Sequence, residues 1–252
     1  MSEPLDSERI RNEQREFWNN AAPGWKQLFV ELDRAAQHVS DRLTELARIK
    51  EGDRVLDIAT GSGEPAVTAS RKVGVRGLVV ATDQSPAMLA MARERAASLG
   101  ITNIKFVETD AETLAVEERS FNAAVCRWGL MFVPDLDAAA QRIAALLVAG
   151  GAFATAVWGP AEKVPMISLG EEAVRKLANL PPLAPGAPHP LRLADMRPLE
   201  QALEKAGFME LRIEPIIVRF QWESAEAFTE QRRAMSAPFR AVSSRGASDA
   251  GF

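Results

Sequence analysis

The sequence predicts an α/β fold built on a doubly wound, mostly parallel sheet. Three observations carry that reading. Between residues 53 and 159, short apolar runs alternate with segments whose apolar positions recur at helical spacing. A glycine-rich turn joins the first apolar run to the first helical pattern after it. The 252 residues are 47% hydrophobic and 25% charged, enough for a parallel sheet buried on both faces.

The elements follow in order. Residues 8 to 30 carry Phe17, Trp18, Trp25 and Phe29 on a polar background interrupted by Pro23-Gly24, which reads as a helix, a break and a second helix. Apolar positions Ala35, Ala36, Val39, Leu43, Leu46 and Ala47 continue a helix that Gly52-Asp53 stops. Arg54 to Ala59 is a short buried strand running into the loop Thr60-Gly-Ser-Gly-Glu-Pro65 and a helix through about Lys72. Leu78 to Thr82 is a second strand ending on Asp83. Ser85 caps the next helix, Pro86 fills its first position and Gly100 stops it. Asn103 to Glu108 and Phe121 to Arg127 read as strands three and four. Asp137 to Ala149 reads as a helix closed by Gly150-Gly151, and Ala152 to Trp158 as strand five. Beyond Gly159 come a helical patch from Met166 to Ala178, the proline-rich run 180–190, and a helix capped by Asp195 and ended by Gly207. An alternating strand from Met209 to Gln221, a helix from Ser224 to Met235 and a polar tail follow.

Composition narrows the function. A net charge of -4 lacks the basic footprint of a protein that grips a nucleic-acid backbone. The single cysteine, Cys126, closes no intrachain disulfide and builds no thiolate metal site, so no metal is expected. The first fifteen residues lack the apolar core of a signal peptide. The uncharged stretch from Ile143 to Ala161 is cut by Gly150-Gly151, so it reads as a helix end and a strand, not a membrane span. The expectation is a cytoplasmic protein; high alanine and arginine suggest a bacterial source with a GC-rich genome.

The chemistry centres on Asp57-Ile-Ala-Thr-Gly61-Ser-Gly63-Glu-Pro-Ala66, a strand end opening a helix. Gly61-x-Gly63-x-x-Ala66, with Asp83 twenty residues beyond Gly63, satisfies a Rossmann-like dinucleotide fingerprint. Asp57, before the loop, would repel a pyrophosphate and suits a ligand with a cationic amino-acid end. These residues, with Val107 to Leu114, Phe121 to Pro134 and Leu147 to Phe153, together resemble the class I S-adenosylmethionine-dependent methyltransferases. Within them the sequence is most similar to the small-molecule branch containing the ubiquinone and menaquinone biosynthesis methyltransferases. The resemblance covers residues 15 to 220.

The resemblance implies a Rossmann-like core and methyl transfer from S-adenosylmethionine to a small acceptor by in-line displacement. It implies that Asp57, Ala59, Thr60, Gly61 and Gly63 face the methionine, and that Asp83 accepts the ribose hydroxyls. Gln84 and Met88 would flank the adenine, Asp110 and the Ala111 N–H would hydrogen-bond it, and Arg127-Trp128 would border the reacting methyl. It also implies an aromatic cover from Phe17, Trp18 and Trp25. The chain then divides into a helical cap (1–50), a cofactor-binding core (51–160), a substrate insert and helix (161–208), a C-terminal strand and helix (209–240) and a flexible tail (241–252). The family's seventh, antiparallel strand has no counterpart after residue 221: either the chain is shortened, or the strand is missing and another chain, as in a homodimer, covers the exposed edge.

Acceptor-side candidates are Trp18, Trp25, Trp128, Met131, Phe132, Trp158 and His189; the aromatics also read as core. The tryptophans and the uncharged 177–191 insert favour an apolar or aromatic acceptor. His189 is either an acceptor-facing base or a solvated loop histidine, and His38 and Cys126 read as structural. Arg232, Arg233, Arg240 and Arg245 read as a solvated basic face. Two rivals stand beside this reading: a non-catalytic S-adenosylmethionine-binding partner subunit, and an NAD-dependent oxidoreductase, for which the chain has no catalytic tyrosine.

Overall fold

A computed structural model describes residues 6–177, 179 and 186–235, and the expectations for residues 180–185 and for the tail lie outside them. Five strands form one parallel sheet: β1 (Arg54–Ile58), β2 (Leu78–Asp83), β3 (Ile104–Glu108), β4 (Phe121–Arg127) and β5 (Leu147–Ala156), in the order β3-β2-β1-β4-β5. The chain winds outward from β1 in both directions, so the strand order reverses between β1 and β4. Ligands in open α/β sheets bind at the carboxyl ends beside such a point.

Alternation along the strands supplies two cores. Val55, Val79, Ala81, Ala123 and Val125 face α1 (Ser7–Leu46) and α2 (Ala66–Val73) through Val39, Leu43, Ala69 and Val73. Leu56, Ile58, Val80, Ala124 and Cys126 face α4 (Leu136–Leu146) and α6 (Arg197–Lys205) through Ile143, Leu146, Leu199 and Ala202. Each fully buried Leu, Ile or Val contributes about 1.5–3 kcal/mol, which fixes strand register against one-residue slips. Helix α3 (Pro86–Ser98) starts as expected: Ser85 Oγ accepts the Met88 N–H at 3.1 Å and Pro86 follows the cap. α5 (Pro165–Leu177) and α7 (Ala225–Met235) complete the helices used below.

Three expectations need correction. The helix break at Pro23-Gly24 is absent, and α1 runs unbroken from Ser7 to Leu46 with Pro23 inside it. Tertiary packing outweighs the roughly 3 kcal/mol cost of an interior proline, because Ala22, Trp18 and Trp25 pack on Met88 and Met91 of α3. Gly150-Gly151 do not close a helix. Helix α4 ends at Leu146 and β5 begins at once, with both glycines inside it. The register passes from Phe121↔Leu147 to Ala123↔Ala152, and Gly150, at φ 76°, absorbs the excursion.

The third concerns Met209 to Gln221, which forms no strand. The two-residue alternation is real: Glu214, Ile216, Val218, Phe220 and Trp222 are partly buried while the residues between them are exposed. Side chains dock this segment, however, and not a backbone ladder. Ile216 and Val218 pack on the core that holds Ala154, Arg42 pairs with Glu214 at 2.5 Å, and the Ile217 carbonyl lies 3.0 Å from His38 Nε2. Pro215 has no N–H to give a ladder.

Among the described residues no helix is long and apolar enough to cross a membrane. Because Pro23 is exposed and denies the Asn19 carbonyl its helical donor, Pro23→Ala should stabilise the protein by about 1–3 kcal/mol. Urea unfolding checks this, and an unchanged or lower midpoint would show that α1 is not continuous there.

Candidate active site

The turn between β1 and α2 is built on left-handed residues: Ala59 at φ 55°, Gly61 at 54° and Gly63 at 100°. Asp57 holds it from beneath. Its carboxylate is wholly buried, and Oδ2 accepts the Thr60 hydroxyl at 2.6 Å and the Ala66 N–H at the start of α2 at 2.8 Å. Among the described residues its Oδ1 has no partner. Burial pushes its pKa up to about 7, the charge of Glu64 adding to the rise and the two hydrogen bonds opposing it. A Cβ at Gly129 would lie 2.6 Å from Ala59 Cβ and 2.8 Å from Cys126 Sγ, so the β4 loop meets the turn only through a glycine.

A cavity of about 250 Å³ opens above this turn, at the carboxyl ends of β1, β2 and β4. One water needs only about 10–15 Å³ on that measure, so the space suits an organic ligand. Asp83, at the end of β2, lines it while accepting the Gly61 and Ser85 N–H groups, each at 2.9 Å. Burial raises its pKa to about 6, against backbone hydrogen bonds from Ser85, Gly61 and Gln84 that lower it. Asp110 also lines the wall, held by the Glu112 and Thr113 N–H groups at 2.9 Å and the Thr113 hydroxyl at 2.8 Å.

The sheet-side wall thus collects Ala59, Thr60, Gly61, Asp83, Gln84, Met88, Asp110, Ala111, Arg127 and Trp128. Trp18, Trp25, Met131, Phe132 and Trp158 join them. Trp128 stacks on Trp158 at 4.3 Å and 10°, and Trp18 meets Phe132 edge-on at 5.1 Å. Four expected residues, Asp57, Gly63, His189 and Phe17, stay off the wall. Asp57 and Gly63 lie behind the turn they shape. His189 is partly buried and accepts the Leu191 N–H at 3.3 Å through Nδ1, with burial and the charges of Arg192 and Arg175 lowering its pKa. Phe17 is 37% exposed, and Cys126 is fully buried, its pKa pushed up to about 12 by burial.

Sequence reasoning found Trp18 and Trp25 but missed Arg11, Gln14 and Leu32 on the same face of α1. Arg11, Gln14, Trp18, Trp25 and Leu32 line the cavity, at spacings of three, four, seven and seven that mark one side of a continuous helix. Breaking the helix at Pro23 hid that stripe. It also missed Asp33, which accepts from Arg95 Nη1 and Arg127 Nη2 at 2.5 Å each, while Arg95 reaches Glu64 at 3.2 Å and Arg127 reaches Ser40 at 2.9 Å. This buried network ties α1 to α3, β4 and the glycine turn.

Residues 55–151 match the family model described as a methyltransferase domain. The chain is 40% identical over 108 residues to the ubiquinone/menaquinone biosynthesis C-methyltransferase UbiE of Pseudomonas putida, covering 42% of each protein. It is 37% identical over 113 residues to the aklanonic acid methyltransferase DauC of a Streptomyces species, covering 45% of this chain and 51% of that one. The chain therefore matches about half or less of these relatives' length. In architecture it is similar to an S-adenosylmethionine-dependent methyltransferase from Aquifex aeolicus, with TM-score 0.58 and 18% identity over 75% of this chain and 90% of that one. It is also similar to the [4+2]-cyclase SpnF, with TM-score 0.55 and 18% identity over 90% and 82%. The fold is the Rossmann-like one of class I methyltransferases.

Two predictions follow from the turn. Ala59→Gly should raise stability by about 1 kcal/mol, since a left-handed alanine is strained where glycine is not. Gly129→Ala should cost about 1–3 kcal/mol by overpacking, and less in the Ala59→Gly background; additive urea-midpoint shifts would show that the two sites do not touch. The second concerns pH. Folding favours the protonated forms of Asp57 and Asp83, so their contribution is full below the ordinary carboxylate pKa and is lost as pH rises through about 6 and about 7. Asp57→Asn, neutral throughout, should lose less stability than wild type between about pH 4 and about pH 8. Equal slopes in thermal melts would contradict a raised Asp57.

Proposed function

We propose that this chain transfers a methyl group from S-adenosylmethionine to a small, apolar or aromatic acceptor. The observation that carries the reading is one cavity with two chemically distinct halves, polar along Asp83, Asp110 and the glycine turn and aromatic along Trp128, Trp158 and Phe132. The polar half fits the cofactor. Asp83 faces the cavity with lone pairs beyond those given to Gly61 and Ser85, and a Cβ at Gly61 would meet nothing within 4 Å, which leaves the backbone open to a ligand. The match of residues 55–151 to a methyltransferase domain supports the same conclusion.

When bound, S-adenosylmethionine supplies a methyl on a positively charged sulfur, already activated as an electrophile. Asp83 would hold the ribose hydroxyls, Asp110 and the Ala111 N–H the adenine edge, and Gln84 and Met88 its faces. Trp18 and Trp25 cover that half from α1. Trp128, Met131 and Trp158 position the acceptor. The protein's task is then alignment and exclusion of water. Among the described residues lining the cavity none is a histidine, cysteine or tyrosine, Asp33, Glu64 and Glu112 are engaged by arginines, and Asp83 and Asp110 are assigned to the cofactor, so on this reading positioning carries most of the rate. We place the protein in the bacterial cytoplasm on its composition.

Calorimetric titration with S-adenosylmethionine, S-adenosylhomocysteine and NADH tests the assignment. Adenosyl ligands should bind, and Asp83→Ala should weaken them about 100-fold, the loss of two hydrogen bonds to a charged group. Binding of NADH in their place would favour the oxidoreductase. Transfer of labelled methyl to aromatic acceptors by the purified chain would exclude the non-catalytic partner reading.

A further inference from the structure

We propose that the acceptor is an aromatic acid, its ring held by the Trp128–Trp158 pair and its anionic group by the guanidinium of Arg232. The proposal rests on the methyl-transfer reading and names its substrate class.

Arg232, on the last turn of α7, lines the same cavity as the tryptophan pair and is not part of a solvated basic face. Its Nε is buried without a partner, and among the described residues no carboxylate lies within 4.0 Å of its guanidinium. The other cations on the wall are engaged, Arg11 with Glu112 and Arg127 with Asp33 and Ser40. Glu171 acts on Arg232 only from longer range, and burial weakens the guanidinium's hold on its proton. A partly buried, unpaired cation is costly, and a ligand carboxylate matched to its planar fork offsets that cost.

Two features show that the cation is placed rather than stranded. A Cβ at Gly170 on α5 would lie 2.9 Å from both Nε and Nη2 of Arg232, so the glycine makes room for the guanidinium. A chain of rings also leads from the cavity to its helix: Trp158 to Phe220 at 6.5 Å, Phe220 to Trp222 at 6.0 Å, and Trp222 to Phe228 of α7 at 4.9 Å. Trp222 Nε1 donates to Gln231, the residue before Arg232, at 2.7 Å. The elements that set the aromatic wall therefore also set the position of the cation.

The test titrates the full chain with 1-naphthoate and its neutral isostere 1-naphthamide, with and without saturating S-adenosylhomocysteine. Wild type should bind the acid at least about tenfold more tightly than the amide, a difference of about 1.4 kcal/mol. Arg232→Met should remove that preference while leaving amide and S-adenosylhomocysteine affinity within about twofold. Equal binding of acid and amide by wild type, or an unchanged preference in the variant, would overturn the proposal. If wild type binds no S-adenosylhomocysteine but keeps an Arg232-dependent preference, the cofactor reading fails and the anion site stands. Should Arg232→Met also lose S-adenosylhomocysteine, Gly170→Ala decides: crowding the guanidinium must weaken the acid selectively, and no change there overturns the proposal.

Discussion

Asp57 exposes no surface, yet the polar half of the cavity is organised by its carboxylate. By accepting from Thr60 and Ala66 at once, it joins the first residues of the turn to the first N–H of α2 and holds the left-handed run between them. That run sets the Gly61 N–H on Asp83 and so ties the ends of β1 and β2 into one rim. Burying an acid is expensive, and burial accordingly raises its pKa. The arrangement persists because a flatter turn would leave the start of α2 and the Thr60 hydroxyl without acceptors.

A second buried group performs the same service for the lid of the cavity. Asp33 sits between two arginines, one from α3 and one from β4, and thereby fastens the middle of α1 across the mouth of the sheet. Such pairs add little net stability over apolar packing, but they specify geometry, since any other docking of α1 would strand the Arg127 guanidinium and leave Arg95 with Glu64 alone among its carboxylates. The stripe from Arg11 to Leu32 faces the cavity because the helix is anchored there at one end and packed on α3 through Trp18 and Trp25.

What was legible in the sequence is what local rules decide. β4 is bounded as its apolar run is, and the Ser85-Pro86 start and Gly100 end of α3 follow from backbone chemistry alone. Local rules failed where long-range packing overruled them. Pro23 reads as a break until the contacts between α1 and α3 are known. Gly150-Gly151 reads as a helix stop until the register against β4 is seen. Residues 209–221 keep the alternation of a strand without the ladder, because alternation reports which side is buried and not what the backbone bonds to. The site was legible through its glycines and acids along the strand ends. Arg232 was not, since nothing in an arginine's neighbours along the chain tells a solvated guanidinium from one facing a cavity.

The same architecture carries more than one chemistry, as the likeness to a [4+2]-cyclase shows, so the fold cannot decide what this chain does. The wall decides. Its polar half is assembled from the sheet and the glycine turn, which are the parts that match a methyltransferase domain. Its aromatic half takes Trp128, Met131 and Phe132 from inside the matched residues and Trp158, Phe220 and Arg232 from beyond residue 151. On the proposed reading, the rings and the cation of the second half are where acceptor specificity would reside. On that reading the guanidinium of Arg232, offset among the described residues only by the longer-range charge of Glu171, is the group that an anionic acceptor would meet.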